Sequence, residues 1–440
     1  MIHSKLKKMV FALGILISPI YLQAQENSVL KLSVSELFDL VKKNHPTLKV
    51  SESDVQIAEQ NIKVAKNQFL PEISTGLQGY YLGDAHIIDK DFSNSSRVDM
   101  PNFGNKFSVE ARQLIWKGGV VKNAVEIQNL KKDLSQLNYE SNELNIKLLS
   151  AGYYLDLFKL YNQEKVYHKN IELAQERLDN INKFYKQGMV TRNDVIRGEL
   201  QLSNLKLALQ VVQNNQSILN KQLTVALGLD EGVKIIPDES IVTESLEIRP
   251  LASYYGDLVN HPTIKQTEKA VDIYAVSEKI SRSDMMPSLS AFAGNTLQRP
   301  ITTSNPAMDM YTNGWSAGLS LNFNIDALFK APKKIQLNRL EKEKAIRQSN
   351  EVSEMMKVAV NAAYIKYNEA LTQNNTLKVN KDLTAENYRI MESKYNNQLA
   401  ILLDLIDASN AKLDAELQFA NSEINIVFAY YKLLKEAGTL

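Results

Sequence analysis

The sequence predicts a mainly α-helical protein that carries a transmembrane β-barrel portion and consists of two similar halves. Three observations support this fold class: motifs recur in the same order, each half contains a very long helix, and alternating apolar and polar residues occur at matched positions. The tetrapeptide Asn-His-Pro-Thr occupies residues 44–47 and 260–263. Three further pairs recur at one offset of 210 residues: Tyr185 and Tyr395, Asp194 and Asp404, Gly228 and Gly438. A duplicated unit of this length is half of one architecture and not a solenoid repeat.

The N-terminal residues 1–24 have the pattern of a secretory signal peptide. Three lysines precede an apolar run, and Leu22-Gln23-Ala24 supplies a cleavage site. A membrane anchor is the alternative, but the run is too short to span a bilayer and contains Pro19. We therefore expect the mature chain to be exported.

Charge and cysteine content narrow the classes of protein further. Without residues 1–24 the chain carries 48 basic and 50 acidic residues, with no basic block of the kind that binds nucleic acid. It contains no cysteine, so it forms no disulfide and offers no N-terminal cysteine for lipid attachment. If the protein resides in a membrane, its own fold must hold it there.

The mature chain divides into a first repeat (25–228), a linker (229–257) and a second repeat (258–440). Each repeat contains a long predicted helix, because residues 119–186 and 332–396 have no interior proline. At 1.5 Å per residue each helix is about 100 Å long, more than a globular domain can enclose. Shorter predicted helices can flank the long ones when laid end to end: 47–69 with 192–227, and 263–285 with 404–437.

The helix after Asp194 has a narrow apolar stripe. Its members are spaced by three and four residues: Val195, Gly198, Leu202, Leu205, Leu209, Val212, Gln216, Leu219, Leu223 and Ala226. This spacing predicts a coiled-coil seam with one polar interruption. An amphipathic helix on a globular core is the alternative, although such a helix usually has a wider stripe.

Four segments alternate as β-strands do: 72–82, 106–115, 287–297 and 314–325. In the last of them one face is polar, and the other is an apolar face suited to lipid, formed by Trp315, Leu319, Leu321 and Phe323. Four aromatic residues suit an interfacial girdle: Trp116, Trp315, Tyr80 and Tyr81. Core packing is the alternative, above all for Trp116. A soluble sheet with one wet face would alternate in the same way, but the long helices and the export signal favour a membrane strand.

Four strands cannot close a barrel, and an open sheet edge leaves backbone groups that lipid cannot satisfy. Other subunits must therefore complete the barrel. Two copies would give 8 strands and a filled interior, whereas three would give 12 strands and room for a pore.

Three segments carry a resemblance to a known family. The junction Arg112-Gln-Leu-Ile-Trp-Lys-Gly-Gly119, the turn Tyr185-Lys-Gln-Gly188-Met-Val-Thr-Arg-Asn-Asp194 and its repeat from Tyr395 to Ala408 resemble those of TolC-type outer-membrane efflux proteins. The resemblance implies a homotrimer with a 12-stranded barrel in the outer membrane and a periplasmic tunnel of helices. It also implies an exit duct for small molecules or polypeptides, docked to an inner-membrane pump and a periplasmic adaptor. The linker would then form an equatorial belt.

The resemblance places a gate at the tip of the tunnel. Its residues would be Tyr185, Arg192, Asp194, Tyr395, Asp404 and Asp407. By the resemblance, Asp404 and Asp407 correspond to the family's cation-attracting aspartate ring. They lie three residues apart and so share one helical face. Alternatively, two aspartates simply favour the start of a helix. The family's second turn has a glycine and a basic residue where this chain has Gln398 and Ala400. Whether the second repeat forms a latch is therefore undecided from the sequence.

Catalytic and cofactor sites are not predicted. Two of the mature histidines lie in the repeated Asn-His-Pro turn, where a structural role is favoured over metal binding. No zinc spacing, phosphate-binding glycine loop or nucleophile elbow occurs. The alternative to the duct is an exported structural or adhesive coiled-coil protein of the cell surface, without a pore.

Overall fold

The computed structural model describes residues 29–242, 246–304 and 307–440, so the predicted signal peptide lies outside the described residues. Its helices are α1 (Val34–Asn44), α2 (Pro46–Lys66), α3 (Val120–Lys186), α4 (Arg192–Leu227), α5 (Leu251–Asp257), α6 (Pro262–Ser283), α7 (Ala327–Asn396) and α8 (Leu402–Ala437). Its strands are β1 (Val29–Leu32), β2 (Glu72–Tyr81), β3 (Ala85–Ile88), β4 (Ser95–Val98), β5 (Phe103–Trp116), β6 (Lys234–Pro237), β7 (Ser288–Arg299) and β8 (Thr312–Asn322).

Helices α3 and α7 contain 67 and 70 residues and form the long axis of the chain. Helix α3 packs against α2, α4, α6 and α8, and α7 packs against α6 and α8. The sequence predicted that α7 begins at Pro332, but it begins earlier, at Ala327. The proline lies in the second turn, where it removes one backbone hydrogen bond close to an end that already lacks several.

The shorter helices meet end to end at two joints beside the middle of the long helices α3 and α7. At the first joint the Asn44 amide donates to the carbonyl of Leu227, the last residue of α4 (2.9 Å). At the second, the ring of His261 lies against Gly438, the C-cap of α8. His45 and His261 cap the helices that follow, since each Nδ1 accepts from the backbone N–H of Thr47 or Thr263 (3.2 and 3.1 Å). The repeated Asn-His-Pro turn is therefore a helix joint.

Four strands form an antiparallel sheet in the order β2-β5-β7-β8. The register puts the predominantly apolar members of all four strands on one face, among them Ile73, Leu77, Phe107, Val109, Leu289, Ala291, Trp315, Leu319 and Leu321. The opposite face carries mostly Ser, Gly, Thr, Gln and charged residues. This division over four strands is the one that a barrel with a lipid-facing exterior and a wet interior requires.

Two predictions about this sheet are wrong. Phe323 is not a strand residue, because the ladder ends where Asn322 pairs with Ser288, the first residue of β7. Tyr80 does not join Tyr81 on the apolar face, since neighbouring residues of a strand point to opposite sides. Trp116 does reach the apolar face, because a register shift after Leu114 pairs it with Leu289.

A small equatorial unit surrounds the two joints. The parallel pair β1–β6 lies against α3, and the buried Tyr154 hydroxyl donates to the carbonyl of Leu32 (2.6 Å) and accepts from the N–H of Asp238 (2.8 Å). One hydrophobic cluster here joins α1, α3, α4, β6 and α8. Within the described ranges, no helix combines the length and apolar character needed to cross a bilayer.

Candidate functional site at the tip of the helical hairpins

Two helical hairpins, α3–α4 and α7–α8, turn at the same end of the molecule. Both turns have the same backbone hydrogen bonds: Met189 N–H to the Phe184 carbonyl (2.9 Å) and Leu399 N–H to the Lys394 carbonyl (2.8 Å). This six-to-one pattern needs one residue with positive φ, which is Gly188 (75°) in the first turn and Gln398 (63°) in the second. The missing glycine has therefore not changed the turn, although a side chain in this conformation costs about 1 kcal/mol.

Asp194 and Asp404 occupy the same position in the first turns of α4 and α8, but their surroundings differ. The Asp194 carboxylate accepts from the backbone N–H of Thr191 (2.8 Å) and from its hydroxyl (2.7 Å), which closes a capping box. Asp404 accepts from the N–H of Ile401 at 3.4 Å, and isoleucine has no hydroxyl to add. Asp404 and Asp407 are both exposed. The carboxylates of Asp404 and Asp407 are therefore freer to contact a cation than the carboxylate of Asp194 is.

The two turns enclose a cavity of about 280 Å³ lined by Phe184, Met189, Val190, Thr191, Asp194, Tyr395, Gln398, Ala400, Ile401 and Leu402. Tyr395 is only 8% exposed, and its hydroxyl has no hydrogen-bond partner among the residues that the structure describes. Burial and the nearby charge of Asp194 raise the pKa of this phenol. The structure brings Tyr395 and Asp194 to one cavity wall without a hydrogen bond between them.

The other predicted gate residues lie apart from this cavity. Arg192 is exposed and pairs with Glu199 of its own helix (3.8 Å), so it does not reach the second hairpin. Tyr185 is 42% exposed and does not line the cavity. Across residues 29–242, 246–304 and 307–440, no three His, Cys, Asp or Glu side chains gather as a metal site would require.

The strongest polar link between the hairpins is one that the sequence analysis missed. Arg177 of α3 is 8% exposed, and its guanidinium donates to the Tyr388 hydroxyl of α7 (3.1 Å) and the Ser409 hydroxyl of α8 (3.2 Å). A third bond goes to Gln201 of α4 (3.0 Å), and Tyr388 in turn donates to Glu392 (2.7 Å). We call these five residues the Arg177 cluster. The only sequence signal was an arginine in an apolar stripe.

Apolar packing surrounds the Arg177 cluster. One hydrophobic core takes residues from all four helices: Ala174, Leu178, Ile181, Val195, Leu202, Leu205, Tyr388, Tyr395, Leu402 and Leu405. The two hairpins are therefore in contact along a largely apolar surface at the tip, and the buried Arg177 guanidinium lies within it.

Comparison with known proteins identifies the family. The family model for outer membrane efflux proteins matches residues 37–229 and 254–439, which are the two repeats. The chain belongs to the outer membrane efflux protein family. This membership makes it an outer-membrane efflux channel and decides against the surface-adhesive alternative.

Individual members of the family share the fold at low sequence identity. The outer membrane efflux protein BepC of Brucella suis is 20% identical over 404 residues, which cover 90% of this chain and 83% of BepC. The outer-membrane channel OprN has a TM-score of 0.74 at 14% identity. The matched region covers 92% of this chain and 90% of the OprN chain. VceC of Vibrio cholerae has a TM-score of 0.72 at 14% identity, over 92% of this chain and 96% of its own. These similarities confirm the predicted fold class, in which the chain is mainly α-helical and contributes four strands to a membrane β-barrel.

Proposed function

We propose that the protein is the exit duct of a tripartite efflux pump or type I secretion system. A periplasmic adaptor and an inner-membrane pump would deliver small molecules or polypeptides to its tip. The observation that supports this best is that one chain combines a sheet with an apolar and a polar face and two long hairpins that meet in a buried contact at their tips. The duct itself is passive, so its partners supply the energy.

Unpartnered apolar stripes on the helices support assembly with two further copies. Helix α4 has one on the face opposite its contact with α3, at heptad-related spacing: Ile196, Leu200, Leu207, Val211, Ile218 and Val225, each at least 49% exposed. Helix α2 continues it with Val50, Ile57 and Val64. Helix α7 has a stripe facing away from α6 and α8, formed by Val358, Ile365, Val379, Leu383 and Ile390. Such stripes are seams that lack a partner helix.

The apolar stripes and the sheet edges predict the same arrangement of adjacent subunits. The exposed edges of the sheet are β2 and β8, and the exposed sides of the helices belong to α2 with α4 and to α7. In a ring of three subunits, β8 and α7 of one copy would meet β2, α2 and α4 of the next. This arrangement covers the apolar stripes and leaves no open sheet edge in the membrane.

The gate would lie at the hairpin tips. In the closed state the Arg177 cluster would hold the α7–α8 hairpin against α3–α4, and Asp194 would keep the first turn ordered by its capping box. Asp404 and Asp407 would give six carboxylates in a trimer, placed where a narrow lumen attracts cations and repels anions. Tyr395 would seal the cavity between the turns.

Conductance in a planar bilayer tests this proposal. The purified trimer should form cation-selective pores that a multivalent cation blocks from the periplasmic side, and Asp404→Asn/Asp407→Asn should abolish the block. Asp414→Asn, an exposed aspartate farther along α8, is the matched control. If a multivalent cation blocks the double variant as well as the native protein, the aspartate ring is refuted. If the trimer forms no pores, the duct is refuted.

A further inference from the structure

Two glycines on the polar face of the sheet lie directly opposite aromatic residues. Tyr80 of β2 pairs with Gly104 of β5, and Phe292 of β7 pairs with Gly318 of β8. A Cβ atom at Gly104 would lie 2.2 Å from the Tyr80 ring, and one at Gly318 would lie 3.1 Å from the Phe292 ring. Each hairpin thus contains one aromatic ring that rests on a bare stretch of backbone.

The Tyr80 side chain crosses its neighbouring strand completely. Its hydroxyl donates to the carbonyl of Arg299 at the end of β7 (3.3 Å), although β5 lies between β2 and β7. Two strand spacings are about 9.6 Å, so the side chain must lie almost parallel to the sheet to make this bond. Gly104 is buried beneath the ring, which leaves no room for any other residue there.

The face that carries these rings is the face that lines the lumen, because the opposite face is the apolar one. Tyr80 lies near the outer mouth, one residue before the end of β2, and Phe292 lies near the helical end of β7. We propose that the two aromatic–glycine pairs keep the lumen of the barrel clear at these two levels. Gly104 and Gly318 hold the rings flat against the wall, so that cargo passes over the rings and not between them.

A methyl group at Gly104 would remove this resting place. The backbone lies beneath the ring, so the only free direction is into the lumen, and the bond to Arg299 would break. Three subunits would then project three phenol rings into a barrel about 24 Å across at its backbone. Gly104→Ala should therefore lower the single-channel conductance of the open state by roughly a third. Gly318→Ala should have a smaller effect, because its contact is looser.

The chain provides a matched control. Gly314 lies on the same lumen face of β8, and a Cβ atom there would meet nothing within 4 Å. Gly314→Ala should leave conductance unchanged. The double variant Tyr80→Ala/Gly104→Ala should restore the native value, because it removes the displaced ring. Each variant is first shown to be a heat-dissociable trimer on a gel, and Gly318→Ala serves if Gly104→Ala does not assemble.

This inference rests on the duct function, but the two can fail separately. If the native trimer forms no pores, the duct is refuted. If the native trimer conducts and Gly104→Ala conducts equally, only the role of the pairs is refuted. Tyr80→Ala alone gives a second test: flat rings predict little change, whereas a gain of roughly a third would mean that the rings already occupy the lumen.

Discussion

Replacing Arg177 by alanine should open the tip of the channel. The guanidinium contributes two hydrogen bonds that join the hairpins, to the hydroxyls of Tyr388 and Ser409. Its third bond, to Gln201, stays within the first hairpin and does not resist separation. The Tyr388 hydroxyl keeps its bond to Glu392 in the variant, so the change leaves no unpaired phenol behind. The variant therefore loses both guanidinium bonds between the hairpins, together with one bond inside the first hairpin.

The size of the effect follows from the number and kind of these bonds. Hydrogen bonds from a charged donor contribute about 1.5 kcal/mol each, so two of them contribute about 3 kcal/mol per subunit. Because 1.4 kcal/mol changes an equilibrium constant about tenfold, the open fraction should rise about 100-fold per subunit. Burial of Arg177 at 8% exposure means that solvent does not screen this contribution.

Single-channel recording of the trimer in a planar bilayer measures the opening. Arg177→Ala should spend far more time in a high-conductance state than the native protein. Arg177→Lys should fall between them, because the lysine side chain keeps the charge but is shorter and lacks the second nitrogen that anchors the guanidinium to Gln201. The control is Arg197→Ala, which removes an exposed arginine from the neighbouring α4. An assembled Arg177→Ala trimer with native open probability would refute a latch at this cluster.

Three further predictions concern the turns, the joints and the lumen. Gln398→Gly should stabilise the second turn by about 1 kcal/mol, because it relieves a positive φ, and Gly188→Ala should destabilise the first by a similar amount; the dissociation temperature of the trimer measures both. Burial lowers the pKa of His261, so the folded state disfavours its protonation and stability should fall as the pH drops below about 6.5. His261→Asn keeps a capping acceptor and should weaken that pH dependence. Neutralising Asp404 and Asp407 together should reduce cation selectivity, measured as reversal potential in a salt gradient.

Much of the architecture could be predicted because it follows from the local spacing of apolar residues. The two-residue alternation of β8 and the three-and-four spacing of α4 each follow from contacts that repeat along one element. The ends were harder to predict, because they depend on partners elsewhere in the chain. Strand β8 stops before Phe323 because β7 starts at Ser288, and α7 continues back through Pro332 because the loss of one hydrogen bond is tolerable near a helix end.

The contacts that matter most at the tip and in the lumen carry no local signal. Arg177 meets Tyr388 and Ser409 across 211 and 232 residues of sequence, and Tyr80 reaches Arg299 across 219. Asp194 and Asp404 look equivalent in the repeat, yet a threonine at 191 makes one a capping residue and an isoleucine at 401 leaves the other freer. Sequence reasoning identifies such residues by type, and only the fold shows which of them meet.

The two helix joints also determine how force travels through the molecule. Helices α3 and α7 each run from the barrel to the tip as one helix, whereas α2 with α4 and α6 with α8 are interrupted at Asn44–Gly228 and His261–Gly438. A pull on the tip by an adaptor would therefore load α3 and α7 directly, while the jointed helices could pivot. Bending would concentrate at the equator, and the membrane sheet above it would feel little strain.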